Sequence, residues 1–210
     1  MIKYFSILLL CLPLLASATV TSNYDSSTLQ TRINTIQSGK SNRADRKYWH
    51  HLLKWSDRCE SAFQSSPELH SLQDNNSGLK IYPAQNKNYI IRITCALGIY
   101  QGYQQFYHVS LSDDKVGVKP LVFPIYEMTN SKQVLKTLSG EVWGNVLKTS
   151  DYKNLTIVNL YSGYGNCGSS TTYQIINADV SAIKFLTQPD CKLKRASRDP
   201  KQWPEYPIPN

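Results

Sequence analysis

Four cysteines constrain the fold of this chain more than any other feature. They are Cys59, Cys95, Cys167 and Cys191, and a fifth, Cys11, lies in an amino-terminal segment that we expect to be removed. An even number of cysteines in an oxidising compartment is typical of disulfides, and four cysteines allow three pairings. We predict that sequence neighbours pair, Cys59 with Cys95 and Cys167 with Cys191, while the other two pairings stay open. No cofactor is expected, because no C-x-x-C or H-x-x-x-H spacing indicates a zinc site.

The amino terminus has the pattern of a cleavable signal peptide over residues 1–18. Lys3 supplies a positive charge, residues 7–15 form an apolar core, and Ala16-Ser17-Ala18 provides the small residues that signal peptidase reads. Cleavage is predicted after Ala18, and the product is expected to be periplasmic or secreted. The apolar core is too short to span a membrane, and no transmembrane segment is predicted in the mature chain.

The chain is basic and carries two groups of cationic residues. It has 23 Lys and Arg against 15 Asp and Glu, and removal of Lys3 with the leader lowers the formal charge from +8 to +7. This balance favours an anionic envelope component or a periplasmic protein as partner, and an exported chain is not expected to meet nucleic acid. We predict an anionic-partner surface if both groups pack together, and solvated faces otherwise. The groups are Arg43, Arg46, Lys47 and Lys54, and Lys192, Lys194, Arg195 and Arg198.

The apolar pattern changes along the chain from helical to strand-like. Residues 19–40 are polar and are interpreted as a spacer or loosely docked arm, although a short helix is compatible with the spacing of Leu29, Ile33 and Ile36. Residues 43–64 predict one amphipathic helix capped by Asn42. Its apolar stripe comprises Tyr48, Leu52, Trp55, Cys59 and Ala62.

From residue 79 onward, alternating apolar positions separated by turns predict antiparallel strands. The odd positions of residues 89–97 form one apolar face, and further short strands follow to residue 186. The predicted fold class is α+β, a twisted antiparallel sheet of about six to eight strands with one main amino-terminal helix. Residues 41–210 are expected to form one monomeric domain that ends in an extended proline-rich tail anchored by Trp203.

A glycine-rich stretch is the candidate ligand loop. Glycines allow close approach of the backbone to a ligand, and tyrosines offer flat faces for stacking. The alternative is a turn shaped by the disulfide at Cys167, because a lone glycine-rich loop is weak evidence. The candidate residues are Tyr161, Gly163, Tyr164, Gly165, Asn166, Gly168 and Ser169.

No catalytic residue is predicted. The segment after Gly168 lacks the second glycine of a nucleophile elbow, so Ser169 and Ser170 do not indicate a serine hydrolase. Adjacent histidines at His50 and His51 point to different faces of a helix and do not predict a shared metal. The candidate acids for glycoside cleavage, Glu60, Glu127 and Glu141, are scattered and have no motif around them.

Several short segments, three of which contain a cysteine, carry a family resemblance. They read Cys59-Glu60, Cys95-Ala96-Leu97-Gly98, Val142-Trp143-Gly144, Tyr164-Gly165-Asn166-Cys167-Gly168 and Gln202-Trp203-Pro204. In this order they resemble exported bacterial proteins catalogued as domain of unknown function 1176, over about residues 48–207. This chain has Asn166 where the family usually has Asp, and Lys192 where it often has Gly. The resemblance implies export and a shared architecture, and it implies no activity.

Three functional hypotheses follow. The first is an exported binding or accessory module for an envelope partner, which export, disulfides and basic charge favour. The second is a hydrolase of cell-wall polymer or peptide, with residues 163–170 beside its site and His51 or His108 as base. The third is an inhibitor of an exported enzyme, which requires a protruding loop.

Overall fold

The computed structural model describes residues 20–22, 25–40, 42–65, 78–112, 115–129, 134–147, 153–193 and 195–209. The predicted signal peptide, its cleavage site and Lys194 lie outside these residues. The described chain forms α-helices α1 Ser26–Gln37, α2 Arg43–Leu53 and α3 Asp57–Gln64. The strands are β1 Val20–Ser22, β2 Leu79–Pro83, β3 Asn88–Leu97, β4 Gly102–Leu111, β5 Val116–Pro120, β6 Phe123–Met128, β7 Val134–Ser139, β8 Glu141–Leu147, β9 Asn154–Leu160, β10 Gly168–Ile176 and β11 Asp179–Gln188.

The prediction of one helix over residues 43–64 is wrong, because the chain breaks at Lys54. This residue adopts a left-handed conformation with φ of 56° and closes α2 through its N–H, which donates to the His50 carbonyl. Ser56 then caps α3 by accepting from the Cys59 N–H. The predicted cap at Asn42 is confirmed: its side chain accepts from the Ala44 N–H within a capping box. Two short helices therefore take the place of one.

Residues 19–40 differ from the expected spacer. Val20–Ser22 pairs with β5, and α1 begins after Asp25, whose carboxylate accepts from the Ser27 and Thr28 N–H groups. The apolar positions noted in the sequence, Leu29, Ile33 and Ile36, are buried in the same core as the other helices. The helix is therefore part of the packed domain, which begins before residue 41.

The α+β class with antiparallel pairing is confirmed, and the strands number more than predicted. Nine strands form one branched sheet, and β6 and β7 form a separate two-stranded ribbon. β4 is the branch point: one edge pairs with β3, while the other pairs with β5 at residues 107–111 and with β8 at residues 102–105. β8 also pairs with β9, β9 pairs with β10, and β10 pairs with β11.

The branching places the elements in layers with a core on each side of β3 and β4. One core lies between the helices and the odd-numbered face of β3, including Ile91 and Ile93. The second core lies between the opposite face of β3 and β4 and the strands β9 and β10. Ile90 and Phe106 contribute to it from the first side, and Ile157 and Tyr173 from the second. Both faces of β3 are thus buried, which explains its long apolar run. None of the three described helices is long and apolar enough to cross a membrane.

Both predicted disulfides are confirmed. Cys59 in α3 bonds to Cys95 in β3 and fastens the helix to the sheet, and Cys167 bonds to Cys191. The disulfides are compatible with an exported protein. The tail beyond Cys191 is held by Trp203, which is 3% exposed and donates from Nε1 to the Ser197 carbonyl at 2.8 Å.

Replacing Cys167 with serine is expected to lower the free energy of unfolding by about 3 kcal/mol, because the disulfide closes a loop with a separation of 24 residues. The change leaves the Cys191 thiol without its partner, and Cys191 is an exposed residue that a thiol reagent can reach. Urea denaturation and thiol titration measure the two effects. An unchanged midpoint of urea denaturation would contradict a structural role for this bond.

A candidate ligand-binding cleft

The predicted ligand loop lies against the turn between β3 and β4. A Cβ built on Gly163 would stand 3.5 Å from the Tyr100 ring. Gln101 connects this turn to the end of β9. Its Nε2 donates to Asn159 Oδ1 at 3.2 Å, and its Oε1 accepts from the Leu160 N–H at 2.8 Å. The turn is therefore anchored to the end of β9 just before the loop begins.

Internal hydrogen bonds determine the shape of the loop. Asn166 Nδ2 donates to the Cys191 carbonyl at 3.1 Å, and Asn166 Oδ1 accepts from the Ser162 hydroxyl at 3.1 Å. Gly165 and Gly168 have φ of 70° and 153°, in the region that favours glycine. These contacts support the interpretation of a turn shaped by the disulfide. Tyr164 (78% exposed) and Tyr161 remain on the surface.

A cleft of about 260 Å³ lies between the β6–β7 ribbon and strands β8 to β10. Its aromatic and apolar lining comprises Tyr103, Ile125, Tyr126, Val142, Trp143, Ile157 and Tyr173. Its polar lining comprises Glu127, Thr137, Ser139, Glu141, Asn159, Ser169 and Thr171. Of the predicted loop residues, the structure brings Ser169 into this cleft and leaves Tyr161, Gly163, Tyr164, Gly165, Asn166 and Gly168 outside its lining.

Two aromatic residues of the lining lie next to each other. The Tyr103 and Trp143 centroids are 6.2 Å apart, and the ring planes are inclined at 42°. Trp143 is 41% exposed, whereas the other three tryptophans of the chain are at most 3% exposed. An exposed tryptophan beside a cleft offers a flat apolar face to a ligand.

Two carboxylates share the cleft, although they are distant in the sequence. Glu127 lies on β6 and Glu141 begins β8. Glu141 Oε1 accepts from Gln105 Nε2 at 3.1 Å, and its N–H donates to Ser139 Oγ at 3.0 Å, so both strand and side chain are fixed. The described lining residues include no Lys, Arg or His. The charge of the cleft therefore has the opposite sign to that of the whole chain.

Two phenols of the cleft, those of Tyr126 and Tyr173, are neutral at physiological pH. Burial raises the pKa of Tyr173 well above its usual range, and burial also raises the pKa of Tyr126. The Tyr173 hydroxyl donates to the Pro124 carbonyl at 3.1 Å. This bond joins β10 to β6 across the cleft and holds the ribbon in place.

The histidines considered for catalysis do not line the cleft that contains Ser169. His108 lies on β4 opposite Lys119 of β5, and burial together with the charge of Lys119 lowers the pKa of the imidazole. His51 is exposed in the last turn of α2, and its neighbour His50 stacks on Trp55 in the helical layer. No group of three or more potential metal ligands occurs in the described part of the chain.

Of the described basic residues predicted to form an anionic-partner surface, one is buried and the others are exposed. Arg46 is 1% exposed and pairs with Glu60, so it belongs to the core; Arg43, Lys47 and Lys54 are exposed. The helices pack on β2 and β3, whereas the tail packs on β10 and β11. The second core lies between these two sets of strands. Lys192, Arg195 and Arg198 are exposed, but they lie on a different layer from the first group.

No protein-family model, no curated protein and no solved structure matches this chain. The resemblance to domain of unknown function 1176 therefore stays a prediction.

Proposed function

We propose that this chain is an exported binding or accessory module that docks a glycan-containing component of the bacterial envelope in the cleft beside Trp143. The observation that carries the proposal is the composition of the lining, in which exposed and buried aromatic rings stand beside hydroxyl, amide and carboxylate groups. Ligand sites combine apolar walls with a few polar groups that fix orientation. The two disulfides support export.

The chemistry of a sugar ring fits this lining. A pyranose has apolar C–H faces, which stack on an aromatic ring, and a rim of hydroxyl groups, which need hydrogen-bond partners. Trp143 and Tyr103 provide the aromatic rings. The cleft volume of about 260 Å³ lies just below the roughly 300–1,000 Å³ of sites for drug-sized ligands, so it suits one ring of a chain better than a long segment.

Retention on purified cell-wall sacculi tests the proposal. We expect the mature protein to be retained, and Trp143→Ala to abolish retention, because the exposed aromatic ring is lost. Tyr164→Ala is the matched control, since it removes an exposed aromatic side chain from the glycine-rich loop outside the cleft. Anionic vesicles and a periplasmic extract are assayed in parallel, each at low and high salt.

The outcomes separate the hypotheses. Loss of retention in Tyr164→Ala but not in Trp143→Ala would move the site to the loop. Retention that collapses with salt in both variants would assign binding to the basic surface instead. Salt-resistant capture of a single protein from the extract would favour an inhibitor of an exported enzyme.

One observation supports a hydrolase as the second candidate function. Glu127 and Glu141 line the same cleft, and glycoside hydrolysis uses two carboxylates on either side of the scissile bond. If the protein is such an enzyme, incubation with sacculi releases reducing ends, and Glu141→Gln stops this release while retention persists. Retention without release favours the binding module.

A further inference from the structure

We infer that the ligand group bound in the cleft carries a positive charge, specifically an ammonium group such as the free amine of a deacetylated amino sugar. This inference rests on the proposed function and specifies the class of glycan. It is carried by two independent features of the cleft, the sign of its charges and the arrangement of its aromatic rings.

Among the described residues, the charged side chains of the lining are all negative, although the protein is basic. The charged side chains of the described lining are those of Glu127 and Glu141, whereas the chain as a whole has a formal charge of +8. The Glu127 side chain has no hydrogen bond or ion pair within the described residues, and this residue is exposed. An anionic ligand would meet repulsion from both carboxylates, while an ammonium group can form charge-assisted hydrogen bonds with them.

The Tyr103 and Trp143 rings favour the same ligand group. A cation is attracted to the face of Trp or Tyr within about 6 Å of the ring centroid. Because the Tyr103 and Trp143 centroids are 6.2 Å apart, one ammonium group can lie within this distance of both rings. Aromatic rings that surround the cation are how proteins recognise quaternary ammonium ligands such as choline. A neutral N-acetyl sugar would use the rings but not the carboxylates.

Titration calorimetry with matched sugars tests the inference. The mature protein is titrated with a β-1,4-linked glucosamine tetramer, with the N-acetylglucosamine tetramer of the same skeleton, and with the tripeptide Gly-Lys-Gly as another source of ammonium. We expect the free-amine tetramer to bind about tenfold or more tightly than the acetylated one, as for charge-assisted hydrogen bonds. Glu127→Gln and Glu141→Gln should each reduce this preference. The matched control is Glu205→Gln, which removes the same charge from an exposed position in the tail.

The results distinguish failure of the inference from failure of the proposed function. Equal affinity for both tetramers would overturn the ammonium assignment and leave glycan binding intact. Binding of the tripeptide without either tetramer would overturn glycan binding while supporting ammonium recognition. Binding of none of the three would overturn both. If the preference for the free-amine tetramer persists in Glu127→Gln and in Glu141→Gln but is lost in Glu205→Gln, the ammonium group binds outside the cleft. That result would overturn the inference.

Discussion

Replacing Glu60 with alanine is expected to lower the free energy of unfolding by about 3–5 kcal/mol, because the change removes the carboxylate that pairs with a buried guanidinium. Glu60 Oε2 accepts from Arg46 Nε at 2.8 Å and from Trp55 Nε1 at 3.0 Å. The Arg46 side chain is 2% exposed, and its guanidinium lies 3.5 Å from the Phe63 ring centroid. The variant removes the carboxylate and keeps this cation among aromatic rings.

The acid dependence of stability follows from the same carboxylate. Burial alone would raise the pKa of Glu60, but the hydrogen bond from Gln64 and the charge of Arg46 outweigh it, and the net pKa is lowered. A lowered pKa in the folded state means that the stabilisation is present above the unfolded value of about 4.3 and is lost as the pH falls through the folded value. Glu60→Ala should therefore also flatten the acid limb of the stability curve.

Urea denaturation at neutral and acidic pH measures both effects. The matched control is the double variant Arg46→Met with Glu60→Leu, which removes both charges and keeps apolar volume; it should cost less than Glu60→Ala alone. A loss below about 1 kcal/mol in Glu60→Ala, or a double variant worse than the single one, would show that Arg46 is not held by this carboxylate.

The second large effect is expected for Gly168→Ala, which should cost about 3–5 kcal/mol through backbone strain and crowding. Gly168 follows Cys167 and has φ of 153°. An added Cβ would collide with the Asn159 carbonyl oxygen and approach Trp203 Cη2 to 2.9 Å. The strain would act on the pairing of β9 with β10 and on the anchor of the tail.

Substitutions at two other glycines distinguish the cost of backbone strain from the cost of crowding by the added Cβ. A Cβ at Gly165, where φ is 70°, meets nothing within 4 Å, so Gly165→Ala reports backbone strain alone. Gly140→Ala adds a Cβ in open space and should change stability by no more than about 0.5 kcal/mol. Thermal unfolding compares the three variants. Equal melting temperatures for Gly168→Ala and Gly140→Ala would contradict the close approach at Gly168.

The sequence predicted those parts of the fold that depend on local periodicity and on cysteine pairing. The alternation of Tyr89, Ile91, Ile93 and Cys95 identified the helix-facing side of β3, and both disulfides were predicted. The break at Lys54 was missed because a left-handed lysine has no sequence signal, unlike glycine at that position. Strand β7 was missed because its side chains are largely exposed, including Leu135 and Leu138, and so lack the alternation of a half-buried strand.

The candidate site was less predictable, because its residues meet through strand register between distant segments. Ser169 was identified within its loop, whereas Glu127, Glu141 and Trp143 join it through the folding of the β6–β7 ribbon over β8 to β10. One sequence carries no signal for these contacts. The pairing of Tyr103 with Trp143 across β4 and β8 is what brings the two aromatic rings next to each other.

The exposed tryptophan offers the most direct test of the cleft as the binding site. Acrylamide quenching of tryptophan fluorescence should report mainly on Trp143, since Trp49, Trp55 and Trp203 are buried. We predict that solubilised glycan fragments of the cell wall protect Trp143 from acrylamide, and that Trp143→Phe removes the quenchable signal. Binding of those fragments with no change in quenching would show that the ligand lies away from Trp143 and that the cleft is not the binding site.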